Sequence, residues 1–564
     1  MVKALLRWGA PINLAMLRIA IPTIVLLTPE THEAMRWSSL LRADLQVAPP
    51  GFAWALTLVP VTAGATRAAL VLLVLSCLAA IVGYRSRASL AIAALTSFYV
   101  LGIPQLGGTV THNHHLVWLL ALLAASPCGD ALSIDAAVTA YRAVGPPTGM
   151  QRPTLAHAAP ILVAWILIGL VFFFPGFWKL RSSGAAWIWS DNLRNQMYWK
   201  WYETGGPPPR LRVDGSPWLC RAGALGAVVF ELSFGILVLV PRLRAWAVSA
   251  ALAFHALTST LMRISFPSLW LCYGVFARWN RALPQAGRWL FEDVLVIQWS
   301  GRGTRIEGLI AALRATDVLR RVVYDEVPET AGAPGLEARR ESAEPGAPPI
   351  VAQGWAALLH LAARSPALWP ALPIIYLAAR SGQSFAVFHA SRRTQATPPL
   401  RPSGWPPALM GAGVIGAALW AGARNLQQAW PFACYPTFQW MAPAEIPALT
   451  IEATLDGGEI VELPRASELD AARGQKLWGM EWSLSGVTGA PDPARLRAYL
   501  QVLSAERADL GTTLRRARSI RFYRGFFSVI PEDRGKPPVR RVLLVELTPV
   551  TPEQALPAPR SPAP

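Results

Sequence analysis

Val171-Phe172-Phe173-Phe174-Pro175-Gly176-Phe177-Trp178-Lys179-Leu180 ends a long apolar run on a lysine. The run has the composition of a membrane helix, and a cation at membrane depth is costly. Lys179 is therefore a functional residue by default. Working outward, Thr111-His112-Asn113-His114-His115 meets the start of another apolar run. Histidine titrates near neutrality and can exchange protons with a lysine. The two clusters are expected to cooperate, with His114 within one hydrogen bond or one water of Lys179.

The rest of the chain has the same character. Of 564 residues, 53% are hydrophobic and 15% charged, against about 25% charged in ordinary soluble domains. The 24 tryptophans suit a chain with two membrane–water interfaces. The net charge of +18 comes from arginines scattered in short loops, without a nucleic-acid-binding motif. It reads as anchoring on the cytoplasmic leaflet, with membrane lipids as partners and no nucleic acid. Cys77, Cys128, Cys220, Cys272 and Cys434 stand alone. No disulfide framework or metal site is expected, and three histidines within four residues of an extended loop would not converge on one ion.

Apolar runs near 12–28, 67–83, 87–104, 115–127, 157–175, 218–240, 244–262 and 264–277 predict a multispan α-helical bundle over 1–280. Several are shorter than the roughly 20 residues of a simple span. The first is followed by no small-residue cleavage site and reads as a retained helix. Lys3, Arg7, Arg85, Arg87, Arg242 and Arg244 favour the cytoplasmic side for their loops, and the helices alternate from there. The 105–114 loop and the 176–216 segment then share the outer side. The aromatic stretch from Trp187 to Tyr202 reads as an interfacial belt or as a lid.

From about 285 the pattern changes. Val294-Leu295-Val296-Ile297 predicts a buried strand, Gly301-Arg302-Gly303 a turn, and 304–320 a helix. Residues 326–349, rich in Glu, Pro, Ala and Gly, read as a linker. A further span is expected at 404–424. An extracytoplasmic α+β domain is expected at 430–550, with strands near 449–455, 518–529 and 540–548, and a disordered tail at 551–564.

Four local patterns together resemble the HTTM-domain family, which is vitamin K-dependent γ-carboxylase-like. They are Leu14-Ala15-Met16-Leu17-Arg18-Ile19; Asn113-His114 with Ser133-Ile134-Asp135; Gly176-Phe177-Trp178-Lys179-Leu180; and Phe254-His255 with Phe266-Pro267. The resemblance implies a carboxylase- or epoxidase-like reaction on a reduced quinone of the vitamin K or menaquinone type. Lys179 would be the base and His114 its helper, with a protein or peptide as substrate. A desolvated lysine has the depressed pKa such a base needs. Asn113, His255, Trp178 and Trp187 are the candidate cofactor-binding residues. Residues 290–395 resemble a DCC-type thiol-disulfide oxidoreductase, which implies a thioredoxin-like fold. The Cys-x-x-Cys of that family is replaced by Gln298-Trp299-Ser300-Gly301-Arg302-Gly303, so disulfide exchange is not expected. The resemblance also places the chain in a bacterial inner membrane.

Each singled-out residue also has a structural alternative. Lys179 can snorkel from a helix end, and His114 can cap the helix that follows. His112 and His115 are expected to face solvent or the interface. Arg18 and Glu231 can pair across helices without chemistry. Asp135 is expected to cap the helix after it. The same bundle could therefore be a non-enzymatic scaffold, or a lipid or quinone carrier.

Overall fold

The computed structural model describes residues 6–41, 43–108, 110, 113–143, 153–205, 207–301, 303–328, 335–340, 350–381, 385, 388, 390–391, 403–434, 438–465, 479–486 and 490–547. His112 and the 551–564 tail lie outside these residues.

The bundle begins with α1 (Pro11–Leu27) and α2 (Pro29–Leu40). Thr28 breaks them apart in extended conformation, which the proline after it favours. Then come α3 (Ala63–Val82), α4 (Ser86–Val100), α5 (His114–Ala124) and α6 (Ile134–Arg142). They are followed by α7 (Leu155–Ser183), α8 (Ala186–Trp189), α9 (Asn192–Thr204), α10 (Pro217–Leu237), α11 (Arg244–Met262) and α12 (Pro267–Trp270). Seven helical segments of the described chain are long and apolar enough to cross a membrane. Those at α3, α10 and α11 leave most of their apolar surface exposed. With no water-soluble cover over these faces, the architecture is that of an integral membrane protein. Residues 115–127 and 264–277, read as spans, are shorter apolar helices buried in the bundle.

One end of the bundle is tied by Arg18. Its guanidinium donates to the carbonyls of Cys128 (3.1 Å), Ala80 (2.6 Å), Ile81 (2.9 Å) and Leu132. This corrects the expected Arg18–Glu231 pair. A buried arginine fork is satisfied here by four backbone acceptors that helix ends leave open. Asp135 is corrected too. Ser133 caps α6 by accepting from Ala136 N. The Asp135 carboxylate instead accepts from Arg85 N, Ser86 N and Ser86 Oγ, each at 2.8 Å. It therefore caps α4, half a bundle away in sequence.

Past α13 (Trp279–Leu290) the chain forms β1 (Leu295–Trp299), α14 (Arg305–Thr316) and β2 (Val322–Glu326). Gly301 and Gly303 make the turn into α14 at φ +105° and +75°, which side chains disfavour. β3 (Leu336–Arg340) and β4 (Ile350–Gln353) complete a sheet of order β2-β1-β3-β4, in which β1 and β2 run parallel and the rest antiparallel. β3 corrects the linker reading of 326–349. The composition is linker-like, but Leu336 and Ala338 are buried against β1. α15 (Gly354–Arg364) and α16 (Leu372–Arg380) pack on this sheet through Leu358, Leu361 and Ile375.

α17 (Trp405–Ala423) returns through the bundle beside α7. It leads to β5 (Glu445–Leu455), β6 (Ile460–Glu462), α18 (Pro493–Glu506), α19 (Ala508–Arg515), β7 (Ala517–Ser528) and β8 (Arg540–Leu547). Their sheet has the order β6-β5-β7-β8, all antiparallel. The first sheet region packs α14 against α6, just before α7 starts. The second packs against α9, just after α7 ends. A helix of 29 residues is about 43 Å long, so the two sheets sit at opposite ends of the bundle.

Candidate functional site

Lys179 lies in the last two turns of α7 and is 3% exposed. One turn earlier, Gly176 brings α10 close. A Cβ there would stand 2.9 Å from Glu231 Cβ. Gly169 and Gly235 continue the same close approach two turns back, with a Cβ at Gly169 only 2.9 Å from Gly235 Cα. Small residues let helix backbones approach in this way. The Gly-x-x-Lys spacing therefore has a physical reading: the glycine admits the neighbouring helix, and the lysine meets what it carries. What it carries is Glu231. Lys179 Nζ donates to both carboxylate oxygens, at 2.6 Å to Oε2. The Trp187 ring centroid lies 5.1 Å from Nζ, which adds a cation–π contact.

The pair forms one wall of a cavity of about 540 Å³. Phe172 and Pro175 of α7, Trp187, Gln196 and Met197 of α8 and α9, and Gly223, Gly226 and Phe230 of α10 line it. Phe254, His255, Leu257 and Met262 of α11 also line it, as do Phe266 and Phe438. The lining is apolar except for a few groups. His255 Nε2 is engaged by Tyr273 Oη at 2.7 Å. Its Nδ1 is buried and has no hydrogen-bond partner among the described residues. The cavity thus offers a charged pair at one wall and a free ring nitrogen at another.

Of the residues proposed from sequence, Lys179, Trp187 and His255 line this cavity, and Glu231 joins them. Asn113, His114 and Trp178 are not among its lining residues. Trp178 turns toward α17 and donates to Gly422 O at 2.8 Å. His114 packs its ring 4.9 Å from that of Trp118 and 6.4 Å from that of Trp430. Asn113 Oδ1 accepts from Ser268 Oγ at 2.6 Å. His115 is buried, with Nε2 3.1 Å from Ser268 O, which corrects its placement toward solvent. The Asn-His and Phe-Pro patterns therefore meet at Ser268, beside the cavity wall at Phe266 and Leu269. No group of acidic, histidine or cysteine side chains among the described residues could hold a metal.

The aromatic stretch 187–202 is neither a plain belt nor a free lid. Trp187 and Trp201 are buried, and α9 holds the segment 438–443 that follows α17. Trp187 Nε1 donates to Phe438 O (2.7 Å), Gln196 Nε2 to Trp440 O (2.8 Å), Asn195 Nδ2 to Ala442 O (3.0 Å) and Trp199 Nε1 to Pro443 O (3.0 Å). Asn192 Oδ1 accepts from Ala442 N at 2.8 Å. Phe438, at φ +61°, is strained for a bulky residue. It sits in the cavity wall. Gln196, Met197 and Phe438 were not singled out from sequence. The amide-and-indole spacing of α9 is a signal only once a second chain segment is known to lie on it.

No curated protein and no solved structure matches the chain. The family model described as HTTM domain matches residues 9–278. The match covers α1 to α12, and α17, which returns through the bundle, lies outside it. Every lining residue of the Lys179 cavity except Phe438 falls within the residues that this family model matches.

Proposed function

We propose that this protein binds a reduced quinone of the vitamin K or menaquinone type in the Lys179 cavity and takes a proton from it, in a carboxylase- or epoxidase-like reaction. The observation that carries the reading is the Lys179–Glu231 pair, set in the wall of a mostly apolar cavity. A quinol fits this wall. The aromatic lining suits a flat ring, the volume is that of small-molecule sites, and the buried His255 Nδ1 offers a second polar point for the far oxygen. The bound quinol would supply the acidic hydroxyl and the redox chemistry. Glu231 can take one proton from the Lys179 ammonium. The neutral Nζ can then accept a proton from a hydroxyl beside it. Trp187 and Phe438 exclude water from the pair. His114, away from the cavity lining, would act only by fixing the α5 end and its contacts.

A second reading is favoured by the same pair. A carboxylate with two hydrogen bonds to Nζ also holds the lysine protonated, as in a carrier or scaffold without turnover. The test begins with mass spectrometry of lipid-soluble molecules co-purified with the whole protein. It continues with quinol oxidation by Lys179→Ala and Lys179→Arg. The enzyme reading expects loss in both, because guanidinium cannot accept the proton, with partial rescue of Lys179→Ala by a small amine. Full oxidation by both variants removes Lys179 from the mechanism.

We further propose that the β1–β4 region is a thioredoxin-like core facing the cytoplasm. The parallel β1–β2 pair joined through α14, and the reversed β3, support it. It has no cysteine between Cys272 and Cys434, so its role would be structural or binding. The β5–β8 domain would then be extracytoplasmic.

A further inference from the structure

A second cavity, of about 570 Å³, lies at the opposite end of α11 from the Lys179 site. Arg7, Arg244 and Arg278 line it together with the apolar Ala245, Val248 and Phe276. Arg244 is built into place. Its Nε donates to Val238 O at 2.6 Å, and its guanidinium lies 3.9 Å from the Trp165 ring centroid and 4.7 Å from that of Trp8. Arg278 also approaches the Trp8 ring, at 5.9 Å. Among the described residues no carboxylate pairs with any of the three. Burial first, then Arg281 and Arg7, holds the Arg278 guanidinium below its ordinary value. The arginines thus press on one another without a counter-charge, an arrangement that an anion would relieve.

Phosphate is the anion an arginine fork fits best, and it can come free in water or on a lipid. The apolar part of the lining decides between them. Ala245 and Val248 begin the exposed face of α11, which continues through Leu252 and would lie against acyl chains. Inorganic phosphate has no use for that part. We propose that this cavity binds the phosphate-bearing headgroup of an anionic phospholipid, with its acyl chains along α11.

The test uses the full-length protein in neutral detergent, with bound lipid counted by native mass spectrometry. The wild type should retain phosphatidylglycerol in preference to phosphatidylcholine. Arg7→Gln with Arg278→Gln should weaken that retention by roughly 30-fold, taking each arginine as one basic contact. Ala245→Glu places the missing carboxylate at the cavity edge, in the first turn of α11, where it suits the helix dipole. It should abolish the preference while the lipid-free unfolding temperature stays at or above that of the wild type, which separates loss of the site from loss of the fold. Equal retention of both lipids by the wild type overturns the proposal, as does undiminished phosphatidylglycerol on both variants. Inorganic phosphate that stabilises the wild type as much as phosphatidylglycerol, and fails on the variants, also overturns it by assigning the site to a free anion.

Discussion

Lys179 on α7 and Glu231 on α10 form a buried ion pair, 3% and 6% exposed, at the point where Gly176 lets the two helices touch. Both charges have left water, so each depends on the other. Glu231→Gln strands an ammonium and should cost about 3–5 kcal/mol. Lys179→Met combined with Glu231→Leu strands nothing and should recover most of that loss. Denaturant unfolding of Lys179→Met, Glu231→Leu and the double variant in detergent measures the coupling. Additive losses would show that the pair does not hold the helices together.

The cavity has room at a defined place. A Cβ at Gly226 meets nothing within 4 Å, so Gly226→Phe should fill space rather than push on the fold. We expect retained stability and loss of co-purified quinone or lipid. Gly176→Val, by contrast, forces α10 away from α7 and should destabilise by about 1–3 kcal/mol or more. Quantitative lipid extraction beside a melting curve separates the two outcomes.

The 438–443 segment is fixed by side chains of α9. Removing Gln196 and Asn192 together, as alanines, takes away two bonds to its backbone. Each is worth about 1 kcal/mol. The β5–β8 domain should then detach more often, and limited proteolysis should cut between α17 and β5 faster than in the wild type. Unchanged cleavage would mean that the remaining bonds from Trp187, Asn195 and Trp199, with the Trp199 and Tyr202 packing, suffice to hold the domain.

Asp317, after α14, has its carboxyl pushed up to about 6 by burial. An acid whose folded value is raised binds its proton more tightly when folded. Its stabilising contribution is present below the ordinary carboxylate range and is lost as pH rises through about 6. Hydrogen exchange over residues 305–326 should therefore show easier opening at neutral pH than near pH ~4.5. Asp317→Asn, which can still accept from Arg320 N, should flatten that dependence.

Sidedness is open to a direct check. Val351 and Val539 are exposed in the two sheet regions. In a background lacking the five native cysteines, Val351→Cys should be labelled only from the cytoplasmic side and Val539→Cys only from the other. Labelling of both from one side would place the two sheets together.

The helices were legible because length and apolar composition need no partner to be read. Runs at 218–240 and 244–262 became α10 and α11 nearly in register. Strand alternation at 449–455 marked the core of β5. Lys179 stood out by the cost of its burial. Its partner did not, because which polar residues meet across helices depends on rotation and closest approach, and Gly176 fixes those only in three dimensions. Arg18 illustrates the same limit: nothing local says that its partners are carbonyls. β3 was hidden by a composition that suits a linker but still supplies two inward apolar residues. The aromatic stretch 187–202 was ambiguous until the 438–443 segment gave its indoles and amides something to hold.

That grip touches the 438–443 segment at its main chain: five of its polar contacts end on carbonyls or an amide, and none of these on a side chain. Such a clasp is blind to spelling and sensitive to count. Point changes at Gln439 or Met441 leave every acceptor in position, whereas inserting or deleting one residue shifts the whole row against α9. The segment tolerates a change of spelling at such positions better than a change of length, and Phe438, which also packs under Lys200, is carried to the cavity wall by that fixed tally.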